Sequence, residues 1–377
     1  MAVNATSDAW TISGQTSTDW LRRITVGRLG TKLGSTLTDF PIRVDIPSSY
    51  WATVAPQAAG EDLVIVAADG TVRDFEVEKY DASGVTTLHY RVPTYTAAIA
   101  TEYDWLYWGN AGLGASLANA TGVWDANFSG VWHLGEASGA LADSTGNGNT
   151  GTNNGAAYGA TGQIDGALDF EASDSDFVAM GDVLDFEKDE PFSLSAWTKR
   201  EDTTAIHTII SKMLSSGTFR GYLLWWHSSD YLQFVLRTDN SGSKMILVRT
   251  QATWDDTDWH HVAATYDGSE AVSGVTLYVD GVAQDLTTTF DALDGTTLSA
   301  APFNIGARNS STSHFDGIED EARVSDSERS ADWIAAEYLS GLDALTTLGE
   351  EQSLLAGMLR HPGMTGRMQE LRGGMVA

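Results

Sequence analysis

Residues 221–237, GYLLWWHSSDYLQFVLR, contain two short runs of alternating side chains that are separated by polar residues. Because successive side chains of a β-strand point to opposite faces, alternation divides the first run into two sets. Tyr222, Leu224 and Trp226 fall on one face, and Leu223, Trp225 and His227 fall on the other. Each face therefore carries an indole, and the stretch predicts two strands of a packed antiparallel sheet.

The same pattern of short strands and turns recurs along most of the chain. Earlier runs include WLRRITVGRL, FPIRVDIP, EDLVIVAADG, LHYRVP and YDWLYWGN, and later ones include FSLSAWTKR, HTIISKM, HHVAATYDG and VTLYVDG. With 38 glycines and 13 tryptophans, this composition favours an all-β protein with many turns. We expect two antiparallel β-sandwich domains, the second a large concave jelly roll, followed by a short C-terminal helix and a tail.

The predicted boundaries follow the changes in composition. They are an N-terminal arm at 1–19, an N-terminal β-sandwich at 20–112, a jelly roll at 123–340 and a C-terminal docking tail at 341–377. The polar stretch GNAGLGASLANATG at 109–122 is the expected connector. The helix is expected within SADWIAAEYLSG, with Trp333, Ile334, Ala336 and Tyr338 available for packing.

The charge balance excludes several classes of partner. The chain has 22 basic and 51 acidic residues and a net charge of -29, which repels phosphate backbones and anionic lipid headgroups. We therefore expect no nucleic-acid binding. No run of eighteen apolar residues is present, so membrane insertion is not expected either. The chain has no cysteine, and its first twenty residues lack the features of a signal peptide.

The end of the chain differs in composition from the rest. Residues 353–377 carry three arginines against one acid and four of the eight methionines, namely Met358, Met364, Met368 and Met375. Flexible methionines and arginines on a segment too short to form a core suggest docking onto a neighbouring protein. A frayed chain end is the alternative.

Several motifs after residue 123 carry a resemblance to a known family. VWHLGE, ADSTGNGNTGT, FSLSAWTK, WHHVAATYDG, LYVDG, NIGAR, FDGIEDEARVS and RSADWIAAEYLS occur in that order. With them the chain resembles the laminin-G-like, concanavalin A-like family from about 123 to 340. The resemblance implies a jelly roll of two curved sheets that binds carbohydrate or protein, often beside a structural calcium.

A weaker resemblance covers the first domain. From about 20 to 110 the chain is similar to an uncharacterised β-rich domain family that often precedes laminin-G-like modules. This pairing is familiar in bacterial and archaeal surface proteins and in phage virion proteins, and it brings no known activity with it.

The loop ADSTGNGN is the candidate for a structural calcium site. Side-chain oxygens of Asp143, Ser144, Asn147 and Asn149 lie close together in sequence around two glycines, and calcium prefers hard oxygen ligands. The resemblance places DGIEDEARV near this loop, and alternation directs Asp320 away from Glu319 and Glu321. The expected ligands are Asp143, Asn147 and Asp320, with Asp316 in reserve. The alternative is that Asp and Asn cap turns here by bonding their own backbone.

The tryptophans at 225 and 226 are the candidates for ligand binding. Core packing is the default for an indole in a sandwich, and the other indole could form a platform for a sugar ring. The candidate ligand residues are Trp225, Trp226, Arg220, Arg308 and His314, the last three as hydrogen-bond donors from loops or strand ends.

No catalytic residue is assigned. Asp74, Glu76 and Glu78 share a strand face and suggest a glycosidase pair, but solvated acids on an edge strand are the favoured interpretation. His133, His260 and His261 are expected to be structural, and no GxSxG, phosphate-loop or HExxH motif occurs.

These features favour a non-enzymatic protein located in the virion, as a component of the tail, a fibre or the capsid decoration. It would bind host-surface or extracellular glycan through its second sandwich. Other virion proteins would contact its tail, and multiple copies or a homo-oligomer would add avidity. One alternative is a carbohydrate-binding module of a secreted or cell-surface bacterial protein. Another is a polysaccharide-degrading enzyme.

Overall fold

The computed structural model describes Ile12, residues 20–239 and residues 243–353. The strands before residue 124 are β1 Arg22–Arg28, β2 Leu37–Pro47, β3 Val64–Ala67, β4 Phe75–Lys79, β5 Val85–Tyr95 and β6 Tyr103–Trp108, followed by helix α1 Ala120–Val123. The next strands are β7 Phe128–Trp132, β8 Thr152–Asn154, β9 Ala157–Thr161, β10 Gly166–Phe170, β11 Phe177–Gly181, β12 Phe192–Arg200, β13 His207–Met213, β14 Gly221–Trp226 and β15 Leu232–Arg237. They are followed by β16 Met245–Thr250, β17 His260–Tyr266, β18 Val275–Val279, β19 Val282–Ala283, β20 Leu286–Ala292, β21 Phe303–Ile305, β22 Gly317–Ser325, helix α2 Ala331–Gly341, β23 Thr346–Leu348 and β24 Gln352–Ser353.

The chain divides into two compact units. Unit 1 contains the described residues up to Val123 together with those from Asp343 onward, and unit 2 is Trp124–Leu342. All strand pairs named here are antiparallel. This confirms the predicted all-β class with antiparallel sheets.

Unit 1 contains two sheets. One has the order β23-β1-β6-β3, with β24 also pairing with β1, and the other has the order β2-β5-β4. Alternation along β2 buries Phe40, Ile42, Val44 and Ile46. The segment at 109–122, predicted as a connector, lies within unit 1, where the Asn119 amide N–H donates to Phe75 O at 2.8 Å.

Unit 2 contains two eight-stranded sheets. The first has the order β19-β18-β17-β12-β22-β10-β9, with β7 pairing with β22, and the second has the order β20-β16-β15-β14-β13-β21-β11-β8. Apolar side chains from both sheets form one buried core, which includes Trp132, Leu194, Leu224, Trp226 and Phe234. One face of each sheet is therefore directed into this core. The opposite face of the second sheet carries a smaller apolar cluster of its own.

The predicted C-terminal helix is present as α2. Ser330 caps its N-terminus because the serine hydroxyl oxygen accepts the Trp333 amide N–H at 3.2 Å. Trp333, Ile334 and Ala336 are buried, and Tyr338 stacks on Trp197 of β12 at 5.6 Å between ring centroids. The helix therefore packs on the first sheet of unit 2 through the predicted side chains. No helix among the described residues is both long and apolar enough to cross a membrane.

The turns at the two Asp-Gly pairs that follow β17 and β18 differ in length. At β18–β19, Asp280 and Gly281 have φ values of 52° and 74°, which a tight two-residue hairpin requires. After β17, Gly268 also has a positive φ of 80°, but the loop continues to Gly274 before β18 begins. The Asp-Gly pair at 267–268 therefore opens a longer loop.

The described part of the C-terminal segment belongs to a sheet of unit 1. Strands β23 and β24 add to unit 1 by pairing with β1, so part of the predicted tail at 341–377 is an edge of a sheet. The four tail methionines lie outside the described residues, as does nearly all of the predicted arm at 1–19.

Candidate functional site

The face of the second sheet of unit 2 that points away from the core carries the candidate ligand-binding residues; we call it the outer face. Strand register arranges its side chains in three cross-strand rows. They are Thr208, Trp225, Gln233, Arg249 and Thr287; then Ser211, Leu223, Val235, Leu247 and Phe290; then Met213, Gly221, Arg237, Met245 and Ala292. Gln233 and Arg237 are four steps apart along an extended strand, so the rows extend over about 13 Å.

Trp225 lies at one end of the outer face and is partly exposed. Its indole Nε1–H donates to Oε1 of the neighbouring Gln233 at 2.7 Å, which fixes the orientation of the ring. Next in the same row, the Arg249 guanidinium lies 4.4 Å from the ring centroid of Tyr231. Tyr231 in turn stacks on His227 at 4.5 Å. This end therefore presents an oriented aromatic surface beside a cation.

The opposite end of the outer face is built around Phe219. The guanidinium groups of Arg237 and Arg308 lie 5.0 Å and 5.1 Å from its ring centroid. Backbone carbonyls hold these arginines, since Arg308 Nη2 donates to Leu214 O at 2.7 Å. Arg220 Nε donates to Thr238 O at 3.0 Å at the same end.

The structure separates the predicted ligand residues. Trp226 is fully buried in the core and donates from Nε1 to Thr198 Oγ1 at 3.1 Å, so its prediction as a ligand residue is corrected. His314 contacts Asp176 O beside β11, three strands from Trp225 in the sheet order. Trp225, Arg220 and Arg308 remain on or at the border of the outer face, although the arginines lie at the end opposite Trp225.

Sequence reasoning missed Gln233, Arg237 and Arg249. The alternation in YLQFVLR and MILVRT would have placed each on a face with apolar neighbours. However, only the register of β14, β15 and β16 shows that the three strands place these residues in rows with Trp225.

The loop at 143–149 is closed by hydrogen bonds to Asp143. Its Oδ1 accepts from Val131 N, Thr145 N and Thr145 Oγ1, and its Oδ2 accepts from Asn149 N at 2.9 Å. A carboxylate offers about two lone-pair sites on each oxygen. Three donors share Oδ1 and one contacts Oδ2, so most of these sites are used within the loop. Asp143 therefore fits the turn-capping alternative better than a calcium ligand.

The other expected calcium ligands point to different places. Asn147 uses its amide nitrogen to donate to Phe128 O at 2.9 Å, Asp316 accepts from Ala172 N, and Asp320 accepts from Ile164 N. In the described part of the chain, some acidic and histidine side chains form sets of three or more whose ligand atoms lie within 4.8 Å of one another. None of these aspartates belongs to such a set. These residues do not fit a shared calcium site, and calcium binding stays a prediction.

A bulge in β22 changes the expected alternation. Three steps on β22, from Asp320 to Arg323, oppose two steps on β12, and Glu321 has a positive φ of 53°. Glu321 therefore lies on the same side as Arg323, which donates to its carboxylate at 2.5 Å. Glu319 lies opposite Leu168 of β10 and Thr198 of β12 in the strand register. The prediction that Glu319 and Glu321 share a face was wrong.

Two of the three acids suggested as a glycosidase set form ion pairs within unit 1. Asp74 accepts from Arg91 at 2.5 Å, and Glu78 lies 2.7 Å from His89. Glu76 is buried on β4, an edge strand that pairs with β5. β4 is an edge strand, as predicted, but the ion pairs of Asp74 and Glu78 and the burial of Glu76 do not fit solvated acids.

A serine, a histidine and a glutamate meet beneath helix α2. Ser195 Oγ donates to Glu337 Oε1 at 2.5 Å, and His261 Nε2 lies 3.3 Å from the same oxygen. A hydrolase triad instead requires the serine to contact the histidine. All three side chains are buried, so the arrangement of this cluster is that of a structural contact between α2 and the sheet.

The comparisons with known proteins concern unit 2. Residues 172–335 match the family described as the concanavalin A-like lectin/glucanases superfamily. A concanavalin A-like domain is therefore present there, as the resemblance implied, although the match covers less than half of the chain. No curated protein matches the chain.

Solved structures with similar folds include two toxin domains. The binding domain of Paraclostridial Mosquitocidal Protein 1 has a TM-score of 0.45 and 14% identity over 57% of this chain and 52% of that chain. The botulinum neurotoxin serotype D binding domain has a TM-score of 0.42 and 14% identity over 56% and 51%. The chain thus spans about half the length of these toxin domains.

A third similar structure is domain 4 of AbnA, a GH43 extracellular arabinanase from Geobacillus stearothermophilus, in complex with arabinotriose. It has a TM-score of 0.42 and 21% identity over 56% of this chain and 98% of that chain. At these scores and identities the three likenesses say nothing about the function of this chain.

Proposed function

We propose that this protein is a non-enzymatic glycan-binding protein that holds its ligand on the outer face of unit 2. The observation that carries the proposal is the partly exposed indole of Trp225, which Gln233 holds in a fixed orientation beside Arg249. Sugar rings have an apolar face that stacks on an aromatic ring, and their hydroxyls bond to flanking polar groups. The family match at 172–335 supports this proposal, since its description includes lectins.

The test is binding of the full chain to a panel of bacterial surface and plant polysaccharides, measured by isothermal titration calorimetry. Trp225→Ala should weaken binding about tenfold, equivalent to about 1.4 kcal/mol, because the stacking surface is lost. Trp105→Ala is a matched control, because Trp105 is a partly exposed indole of unit 1. Equal binding by Trp225→Ala and the wild type would overturn the placement of the site.

The non-enzymatic part of the proposal has its own test. Incubation with each bound polysaccharide should yield no new reducing ends, because no described pair of acids with glycosidase geometry lies on the outer face. Release of reducing ends would instead favour the polysaccharide-degrading alternative.

We propose further that the protein acts in a virion as a host-attachment component. The basic, methionine-bearing segment at 353–377 supports a contact with other virion proteins, and multiple copies would add avidity. Purified particles should contain the chain at a fixed symmetric copy number. Recovery of the chain only from culture medium or cell surfaces would favour the secreted bacterial module.

A further inference from the structure

The arginines of unit 2 fall into two groups. Arg200, Arg323 and Arg329 form ion pairs with Asp230, Glu321 and Asp125 at 3.4, 2.5 and 2.7 Å. Four others form no ion pair with any described residue, and they donate to backbone carbonyls: Arg220, Arg237, Arg249 and Arg308. Such unneutralised cations are unexpected in a chain with a net charge of -29.

All four of these arginines lie on or at the border of the outer face. Arg249 belongs to its first row and Arg237 to its third row. Arg308 shares the Phe219 ring with Arg237, and Arg220 directly precedes β14. The pKa of Arg308 is lowered by burial and then by the charge of Arg237. The fold therefore brings these arginines together on one face of an acidic protein, although their mutual repulsion costs free energy.

An anion bound between these guanidinium groups would relieve that repulsion. The planar fork of arginine matches the two oxygens of a carboxylate or sulfate. Between the two ends of the face lie Val235, Leu247 and Phe290, of which the last two are partly exposed. The face thus combines cationic ends with an apolar strip and an indole.

We infer that the ligand of the outer face is an anionic polysaccharide, bearing carboxylate or sulfate groups, that extends along the strands from Trp225 to Arg237. This inference rests on the proposed glycan binding and specifies the class of glycan. The length of about 13 Å along the strands is longer than one sugar ring, so the site selects a chain with more than one residue. Charge complementarity distinguishes this occupant from a neutral glycan.

The experiment compares polysaccharides that differ only in charge. The probes are polygalacturonate, the same polymer after full methyl esterification, and a sulfated galactan with its desulfated form, each titrated into the full chain. We expect the charged forms to bind at least tenfold more tightly than the neutral forms. Because exposed charges are screened by salt, raising the salt concentration should weaken only the binding of the charged forms.

Two variants test the residues that carry the charge. Arg237→Gln combined with Arg308→Gln should weaken binding of the charged polymer about tenfold and leave binding of its neutral form within twofold. Arg237→Lys with Arg308→Lys should give an intermediate loss, because lysine keeps the charge but not the fork. Lys188→Gln removes one cation paired with Glu270 elsewhere in unit 2 and should have no effect. Unchanged melting curves will show that the variants are folded.

The outcomes separate this inference from the proposed function. Equal binding of charged and neutral forms, with loss in Trp225→Ala, would overturn the anionic class and keep glycan binding. Binding of neither form by the wild type would overturn both. Self-association that is abolished by the double Gln variant would identify a second acidic copy of the chain as the occupant and overturn the inference. Preference for the carboxylated or the sulfated polymer identifies the source of the anion, and either preference supports the inference.

Discussion

Glu319 lies in an environment that is unusual for a carboxylate. Its side chain is fully buried, and neither oxygen accepts a hydrogen bond from a described residue. Burial raises its pKa well above the ordinary value. The folded state therefore holds the protonated form, whereas the unfolded chain releases the proton near its ordinary pKa.

This pKa shift predicts that Glu319 lowers stability as the pH rises. For a raised pKa, the contribution to stability is complete below the unfolded value and declines as the pH increases above it. Glu319→Gln removes this dependence, so the variant should gain stability over the wild type by about 1.4 kcal/mol per pH unit above about pH 4.5, until the folded pKa is reached. Urea unfolding from pH 4 to pH 8 measures the difference.

The control for this prediction is Glu328→Gln, an exposed acid of the same unit. It should follow the wild type across the pH range. A constant difference between Glu319→Gln and the wild type at every pH would contradict the assigned protonation state.

Asp143 stabilises the loop at 143–149 because its carboxylate accepts four hydrogen bonds. Asp143→Ala leaves three backbone N–H groups and the Thr145 hydroxyl without this acceptor. At about 1 kcal/mol for each hydrogen bond, we expect a loss of about 2–4 kcal/mol in the free energy of unfolding.

The same loop allows the calcium expectation to be tested. Because four hydrogen bonds within the protein already hold the Asp143 carboxylate, we expect the melting temperature of the wild type to be equal in calcium and in a chelator. A rise in calcium that is lost in Asp143→Ala would show that an ion binds this loop.

At the scale of elements, helix α2 is held on the sheet by a buried charge cluster. Burial alone raises the pKa of Glu337, but Arg323, His261 and Ser195 outweigh it and lower the pKa to about 2. For a lowered pKa, the stabilisation is present above the unfolded value and is lost as the pH falls through the folded value. Glu337 and Glu319 thus give opposite pH dependences within one unit.

Glu337→Gln should therefore destabilise unit 2 at pH 7 and have a progressively smaller effect between about pH 4.5 and pH 2. Leaving a buried charge unpaired costs about 3–5 kcal/mol. Arg323 keeps its ion pair with Glu321, so the loss should lie below that range. Hydrogen exchange of the α2 amides at pH 7 measures the effect. Wild-type protection of α2 in the variant would show that apolar contacts alone hold the helix.

The sequence predicted the strands, α2 and the all-β class because each depends on local alternation or capping. Ser330 and the apolar positions of the helix are readable within one segment. The Glu321 bulge and the Trp225–Gln233–Arg249 row depend on register between strands, which local patterns do not determine. For the same reason, the sequence could not show which of the two adjacent indoles faces the core.

The burial of Glu337 also escaped sequence reasoning. Its partners Ser195, His261 and Arg323 come from three different strands. An acid in an amphipathic helix is ordinarily expected at the surface, so only the packing of α2 against these strands reveals the ion cluster.

At the scale of the whole molecule, the chain returns to unit 1 after completing unit 2. Leu345 is buried, Tyr95 Oη donates to Leu345 O at 3.1 Å, and Tyr50 Oη donates to Gly349 O at 3.0 Å. Together with the pairing of β23 and β24 on β1, these contacts make residues 343–353 a part of the unit 1 fold.

This chain path predicts different results for two C-terminal truncations. A chain ending at residue 353 should retain both thermal transitions of the wild type, whereas a chain ending at residue 342 should lose stability in unit 1 alone. The loss of Leu345 burial and of the edge strands should lower the unit 1 transition by at least about 10 °C, since about 1 kcal/mol shifts a small domain by 4–8 °C. Calorimetry resolves the transitions, and the isolated fragment 124–342 assigns the one that belongs to unit 2. If the chain ending at 342 melted like the wild type, β23 and β24 would be accessory strands, and the integrity of unit 1 would depend only on residues before 124.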